Sequence, residues 1–285
     1  MIFKINSILL GLFLSFTFMN SAIANKSKLT PNLKSRSAII FDMQGGDTIY
    51  SKSIDSVMPI ASITKLMTAI VILNAQLPLY DLIIIDSADI DTIKNTRSRL
   101  KVGDEFTREQ LLLLSLMSSE NMAAAALGRT YPGGIEAFTR SMNETAFELG
   151  MLDSHFVDST GLNSTNVSTA RDLVKMVAAA YEHDIIREFS TTASHAIEKG
   201  KKRIQFYNTN NLVHSLQWQI GISKTGFINE AGRCLVMHTN ISDKPVIIVL
   251  LSSNGKGTRL ADANKIKKWM EGGTTRPRSI SKKYL

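Results

Sequence analysis

Three short stretches carry side chains that can do chemistry in combination. Ser62 and Lys65 stand three residues apart in "MPIASITKLMTAIVIL" (58–73), Ser119 and Asn121 two apart in "SSENMAAAALG" (118–128), and Lys224-Thr225-Gly226 fall together in "GISKTGF" (221–227). On a helix, positions i and i+3 share a face, so the Ser62 hydroxyl and the Lys65 amine come within hydrogen-bonding reach and the amine can take the hydroxyl proton. An ordinary lysine holds its proton to a pKa near 10.4, and lowering that by about 3 units requires roughly 4 kcal/mol. The apolar neighbours Ile63, Leu66, Met67 and Ile70 can supply the desolvation, and a second cation nearby would add to it. The helix N-terminus beside Ser62 favours developing negative charge, and the Ser62 backbone N–H is a ready donor to an oxyanion.

These residues need elements to hold them. "SAIIFDM" and "TIYSKSI" flank Gln44-Gly45-Gly46-Asp47, which predicts a hairpin. The periodicity turns helical from Pro59 to Leu73 and again from about Thr107 to Gly150, with Thr107 and Gln110 spaced as a capping box and Tyr131-Pro132-Gly133-Gly134 dividing the second region into two helices. A further helix is expected to start at Ser168 and carry "TARDLVKMVAAAYEH". "GISKTGF", "RCLVMHTN" and "KPVIIVLLSS" read as an antiparallel meander, and "TRLADANKIKKWM" as a closing helix. Strands at both ends with helices between them predict an α+β fold, an α-β sandwich. One antiparallel sheet is built from the two ends of the chain and flanked by helices, and an all-helical lobe is inserted at roughly 62–190. The cleft between sheet and lobe is the natural place for a site.

Length and composition bound the rest. The chain has 285 residues, 44% of them hydrophobic, enough for one sizeable core over 25–271. Lys4, the apolar run from Ile8 to Phe18 and Ala22-Ile23-Ala24 before Asn25 predict a signal peptide over 1–24, cleaved after about Ala24. That apolar run is shorter than the ~20 residues needed to span a bilayer, and no transmembrane segment is expected after its removal. Without Lys4 the formal charge falls from +8 to +7, a balance suited to an anionic partner such as a cell wall. Residues 272–285 read as a basic flexible tail. Cys234 is the only cysteine, so the fold has no intramolecular disulfide, and its neighbours "RCLVMH" predict a buried thiol on a strand. The five histidines show no H-E-x-x-H or comparable spacing, and neither a metal nor another cofactor is expected. No glycine-rich phosphate loop or interleaving of basic and aromatic residues points to nucleic acid.

Taken singly, two of the three motifs say little. S-x-x-K also starts at Ser98, Ser253 and Ser279, and S-x-N at Ser141, Ser164 and Ser252, whereas K-T-G occurs once. Order and separation carry the weight: S-x-x-K early, S-x-N 57 residues later, K-T-G 105 residues beyond that. In this the chain resembles the low-molecular-mass penicillin-binding proteins, serine D-alanyl-D-alanine peptidases of the S11 type, over about Ser37 to Met270. "DSTGLNSTNVSTARDL" (158–173) and "SKTGFINEAGRCLVM" (223–237) extend the likeness, which is greatest to the small periplasmic D-alanyl-D-alanine endopeptidases.

The resemblance implies a β-lactamase/transpeptidase-like fold, a periplasmic location, peptidoglycan stem peptides and cross-links as substrates, and β-lactams as covalent inhibitors. It further implies Ser62 as nucleophile, Lys65 as general base and Ser119 as proton relay to the leaving amine. Asn121 would bind the substrate backbone, and Lys224, Thr225 and, more loosely, Arg259 its terminal carboxylate. Lys224 would also keep Lys65 neutral. Gly226 would allow close approach, and Phe227 would add a second oxyanion N–H. Thr160, Gly161, Asn166 and Ser168 are read as shaping the wall of the site and capping the next helix. Endopeptidase action on cross-links is the main expectation and carboxypeptidase action the alternative. A β-lactamase would need an extra base, for which Asp158 and Asn163 are the nearest residues. A non-hydrolytic wall-binding or β-lactam-sensing module would not need a desolvated lysine pair.

Overall fold

The computed structural model describes residues 30–199 and 202–272. The expected signal peptide lies outside the described residues, as does the basic tail beyond Gly272. In chain order the elements are β1 (Ser37–Asp42), β2 (Thr48–Lys52), β3 (Met58–Pro59), α1 (Thr64–Asn74), β4 (Leu82–Ile84), β5 (Glu105–Thr107), α2 (Arg108–Met117), α3 (Asn121–Arg129), α4 (Gly134–Glu148), β6 (Val167–Ser168), α5 (Ala170–Tyr181), α6 (Asp184–Thr191), β7 (Ser194–Lys199), β8 (Lys202–Tyr207), β9 (Gln219–Ile228), β10 (Gly232–Ile241), β11 (Lys244–Ser253) and α7 (Thr258–Gly272).

Five strands form one antiparallel sheet in the order β2-β1-β11-β10-β9. The sheet does join the two ends of the chain, with Ile39 opposite Val249 and Ile40 opposite Ile248. Side chains alternate between its faces. Ile39, Val236, Val249 and Leu251 enter the core shared with the helical lobe. Their neighbours Ile40, Leu235, Ile248 and Leu250 pack on Ala263, Ile266 and Met270 of α7. Both faces are therefore covered, and β9 is left as an edge along the cleft.

The lobe is helical apart from the two-stranded ladders β3/β6 and β4/β5. The Thr107 hydroxyl accepts from Gln110 N while the Gln110 side chain returns to Thr107 N, the expected reciprocal cap on α2. Four details differ from the sequence expectation. The first helix starts at Thr64, because Met58 and Pro59 pair with Ser168 and Val167, and Ala61–Ile63 make one tight 3-10 turn. The 107–150 region holds three helices, because Ser119 adopts φ +59 and breaks α2 from α3. The cap of α5 is Thr169, whose hydroxyl accepts from Asp172 N, while Ser168 belongs to β6. Finally, periodicity gave no separate element over 184–207, where α6 and the β7–β8 hairpin stand.

Candidate active site

Ser62 sits in the 3-10 turn that feeds α1, facing the β9 edge, and Lys65 follows one turn later on the same face. The Lys65 amine has three polar neighbours: Ser62 Oγ at 3.0 Å, Asn121 Oδ1 at 2.8 Å and Thr160 O at 2.6 Å. Two of these are carbonyl oxygens, which can only accept. A neutral amine has two N–H bonds and one lone pair, so when it donates to both carbonyls its lone pair is left for the Ser62 hydroxyl. The geometry thus leaves Ser62 Oγ as the one neighbour from which the neutral amine can accept a proton.

The protonation state follows from burial. Lys65 is fully buried, as are Ile63, Leu66, Met67 and Ile70 around it. Burial pushes its pKa down to about 8, against the opposing pull of Asp158, Glu120 and Asp91. Lowering the pKa from 10.5 to about 8 costs about 3 kcal/mol, which burial of one or two large apolar side chains offsets. Lys224, on β9, is held well below the ordinary lysine range by burial first and then by the charges of Lys65 and Arg259. Its amine donates to Ser119 Oγ at 2.8 Å and Thr225 O at 3.1 Å. The Lys65 charge thus opposes protonation of Lys224.

The backbone around them is under local strain. Ala61 has φ +50 and Ser119 φ +59, each unfavourable for a side chain by about 1 kcal/mol. Thr64 Oγ1 donates back to Ala61 O and stabilises the first of these turns. Glycines let the surrounding chain come close. A Cβ placed on Gly226 would lie 2.8 Å from Ile60 O and 3.2 Å from Ser62 N, so the β9 backbone borders Ser62. At Gly161, where φ is +79, a Cβ would lie 2.0 Å from Ala61 O. Gly161→Ala is therefore expected to lower the unfolding free energy by about 3 kcal/mol or more, read as a lower urea midpoint, since it combines a backbone clash with a left-handed φ.

The wall that carries Thr160 is folded by one carboxylate. Asp158 Oδ1 accepts from Thr160 N, Thr160 Oγ1 and Gly161 N, and Oδ2 accepts from Asn163 N and Asn166 Nδ2. Both oxygens are spent on this turn, which disfavours Asp158 as a water-activating base of the β-lactamase kind. Thr160, Gly161 and Asn166 shape the wall as the sequence implies, but the Thr160 carbonyl also touches Lys65.

The other expected residues converge less uniformly. Thr225 Oγ1 donates to Thr209 Oγ1 at 2.7 Å, and the Phe227 ring is half exposed beneath the Arg233 guanidinium at 4.4 Å. Arg259 Nη1 donates to Gly226 O and Cys234 O, so the guanidinium braces the β9–β10 pair behind the site. Cys234 is buried on β10 and desolvation pushes its thiol up to about 11. Sequence reasoning missed the Thr160 carbonyl, Thr209 and Thr96, whose Oγ1 accepts from Asn121 Nδ2 at 2.8 Å. A backbone carbonyl and isolated threonines leave no motif, although the Asp-Ser-Thr-Gly run at 158–161 is a legible turn signal.

A half-buried serine hydroxyl beside a desolvated amine, set between an edge strand and a helical lobe, is an arrangement suited to a serine-type hydrolase. Residues 24–255 match the peptidase S11 family, D-alanyl-D-alanine carboxypeptidase. The chain is 43% identical over 281 residues to the D-alanyl-D-alanine endopeptidase of Escherichia coli (strain K12), covering 96% of this chain and 91% of that one. It is 42% identical over 272 residues to the D-alanyl-D-alanine endopeptidase of Pseudomonas aeruginosa, covering 93% and 88%. The crystal structure of the Streptomyces K15 DD-transpeptidase superposes with a TM-score of 0.78 at 30% identity, over 85% of this chain and 98% of that one. The chain belongs to the peptidase S11 family.

Proposed function

We propose that the protein hydrolyses D-alanyl peptide bonds of peptidoglycan through an acyl-enzyme on Ser62, and that it cuts cross-links in preference to removing a terminal D-alanine. The observation that carries the reading is the Lys65 amine, 3.0 Å from Ser62 Oγ with its two other neighbours both carbonyls. Ser62 Oγ attacks the carbonyl carbon as its proton passes to Lys65 Nζ. The oxyanion lies between the Ser62 and Phe227 N–H groups, a donor of this kind being typically worth about 3 kcal/mol. The C–N bond then breaks, and the leaving amine takes a proton relayed through Ser119, which Lys224 holds. Water opens the ester, leaving a new carboxyl group and a free Ser62. Asn121 holds the substrate backbone, Gly226 lets it approach β9, and Lys224 and Thr225 on that strand receive a terminal carboxylate, with Arg259 bracing the strand from behind.

Preference for cross-links is supported by the relatives: those at 43%, 42% and 35% identity are named endopeptidases, and one at 34% is named a carboxypeptidase. Such a substrate places the enzyme in the periplasm, consistent with the signal-like residues 1–24, and no helix among the described residues is long and apolar enough to cross a membrane. β-Lactams, which present a strained amide beside a carboxylate, acylate the same serine. The test is direct: dimeric and monomeric muropeptides are each incubated with the protein and the products weighed. Monomers released from dimers faster than D-alanine is lost from monomers support the endopeptidase reading, and the reverse order supports carboxypeptidase action.

A further inference from the structure

Asn121 has a chemically two-faced amide, and the orientation of that amide decides what Lys65 can do. With Oδ1 toward Nζ, as found at 2.8 Å, the amide accepts and the Lys65 lone pair stays free for Ser62. Turned over, the amide would donate its own N–H to that lone pair and occupy the base.

The residues that settle the orientation lie outside the three motifs, on the loop between β4 and β5. Asp91 Oδ1 accepts from Ile93 N and Lys94 N, and its Oδ2 accepts from Thr96 N at 2.8 Å and Thr96 Oγ1 at 2.7 Å. A carboxylate only accepts, so the single hydroxyl proton of Thr96 is committed to Asp91. Thr96 Oγ1 can then offer Asn121 nothing but a lone pair, and Asn121 must answer with Nδ2, at 2.8 Å. Its Oδ1 is thereby turned to Lys65. The loop is itself held in place: Asn95 adopts φ +52, and Lys94 Nζ pairs with Glu230 Oε1 in the β9–β10 turn at 2.6 Å, bringing the loop to the sheet side of the site.

We infer that Thr96, fixed by Asp91, is a positioning residue for this enzyme. By accepting from Asn121 Nδ2 it aims Asn121 Oδ1 at Lys65 and keeps the amine's lone pair available to Ser62.

The inference rests on the reading of Lys65 as the base, so its test includes a measurement that needs no catalysis. Asp158, Glu120 and Asp91 pull the Lys65 pKa up and burial pulls it down, and Thr96→Val leaves all of these in place. It removes the acceptor that orients Asn121 together with that hydroxyl's own hydrogen bond to Asp91 Oδ2, while the Asp91 carboxylate keeps its three backbone donors. A donor turned toward Nζ stabilises the neutral amine, so the Lys65 titration, followed through 13Cε-labelled lysine and assigned by its loss in Lys65→Arg, is expected to move to lower pH. Acylation by a fluorescent penicillin is expected to slow at its high-pH plateau by roughly ten- to a hundredfold, with the acidic limb of the rate profile shifted the same way. Thr96→Ser keeps the hydroxyl and is expected to restore both within about twofold. Thr96 is exposed, so the thermal midpoint should hardly change in either variant. An unmoved Lys65 titration in Thr96→Val, or equal impairment in Thr96→Ser, overturns the inference whether or not the protein proves to be a peptidase. A shifted titration in a protein that penicillin does not acylate would uphold the positioning and overturn the catalytic reading instead.

Discussion

Ser62→Ala is expected to lower the release of products from cross-linked muropeptides by at least about 10⁴-fold and to abolish covalent labelling by penicillin, with the fold intact. Loss of a nucleophile cannot be made good by binding energy, which is why such losses are among the largest single-residue effects known in hydrolases. Stability should be little affected, because Ser62 is half-buried and its hydroxyl meets Lys65, which retains two carbonyl acceptors. Mass spectrometry of the penicillin-treated protein gives the cleanest readout: an adduct that persists on Ser62→Ala places the nucleophile elsewhere.

The second large effect is expected from Lys65→Met, which keeps the length and apolar stem of the side chain and removes the amine. Acylation should fall by roughly 10³- to 10⁴-fold, since general-base help and the lowered barrier to deprotonating a hydroxyl are lost together. The wild-type acylation rate should rise with pH through about 8, as Lys65 gives up its proton, and the variant's residual rate should lack that limb. Stability carries an independent signature. The folded pKa of Lys65 lies below the unfolded value of 10.5, so between about pH 8 and 10.5 the unfolded chain binds more protons and stability increases with pH. The increase attributable to Lys65 is about 3 kcal/mol, and Lys224, shifted in the same direction, adds a slope of its own. In Lys65→Met the Lys65 part of that slope should vanish from denaturant midpoints measured across this window. Acylation by Lys65→Met at near wild-type rate would transfer the role of base to another group, with Lys224 the first to examine.

Much of this architecture can be read from the residues because short-range chemistry and long-range pattern agree there. The Thr107–Gln110 cap, the hairpin around Gly45-Gly46 and the three apolar runs after Gln219 all form where their patterns place them. Where the reading fails, tertiary pairing overrides local pattern. Met58 and Pro59 belong to an apolar run as compatible with a buried strand as with a helix, and pairing with β6 decides between the two. Ser119 is an ordinary residue in a helical stretch by composition, yet it takes φ +59, which no propensity anticipates. Ser168 and Thr169 are equally good caps by type, and Ser168 is taken by the ladder with Met58. The site divides along the same line. Side chains with distinctive chemistry, Ser62, Lys65, Ser119, Asn121 and Lys224, stand out in order along the chain, whereas Thr160 contributes a carbonyl and Thr96 a lone pair. Neither of these is encoded in a residue type at a fixed spacing.

Pairing of β1 with β11 has a consequence for how the molecule comes into being. The two strands are separated by nearly the whole described chain, so the sheet that backs the cleft cannot close until Lys244–Ser253 has emerged. Closing so long a loop is an entropic barrier that local helices do not face, and sheet closure is expected to follow helix formation in folding. A chain delivered from its first residue onward is therefore expected to lack the closed cleft around Ser62 until β11 arrives.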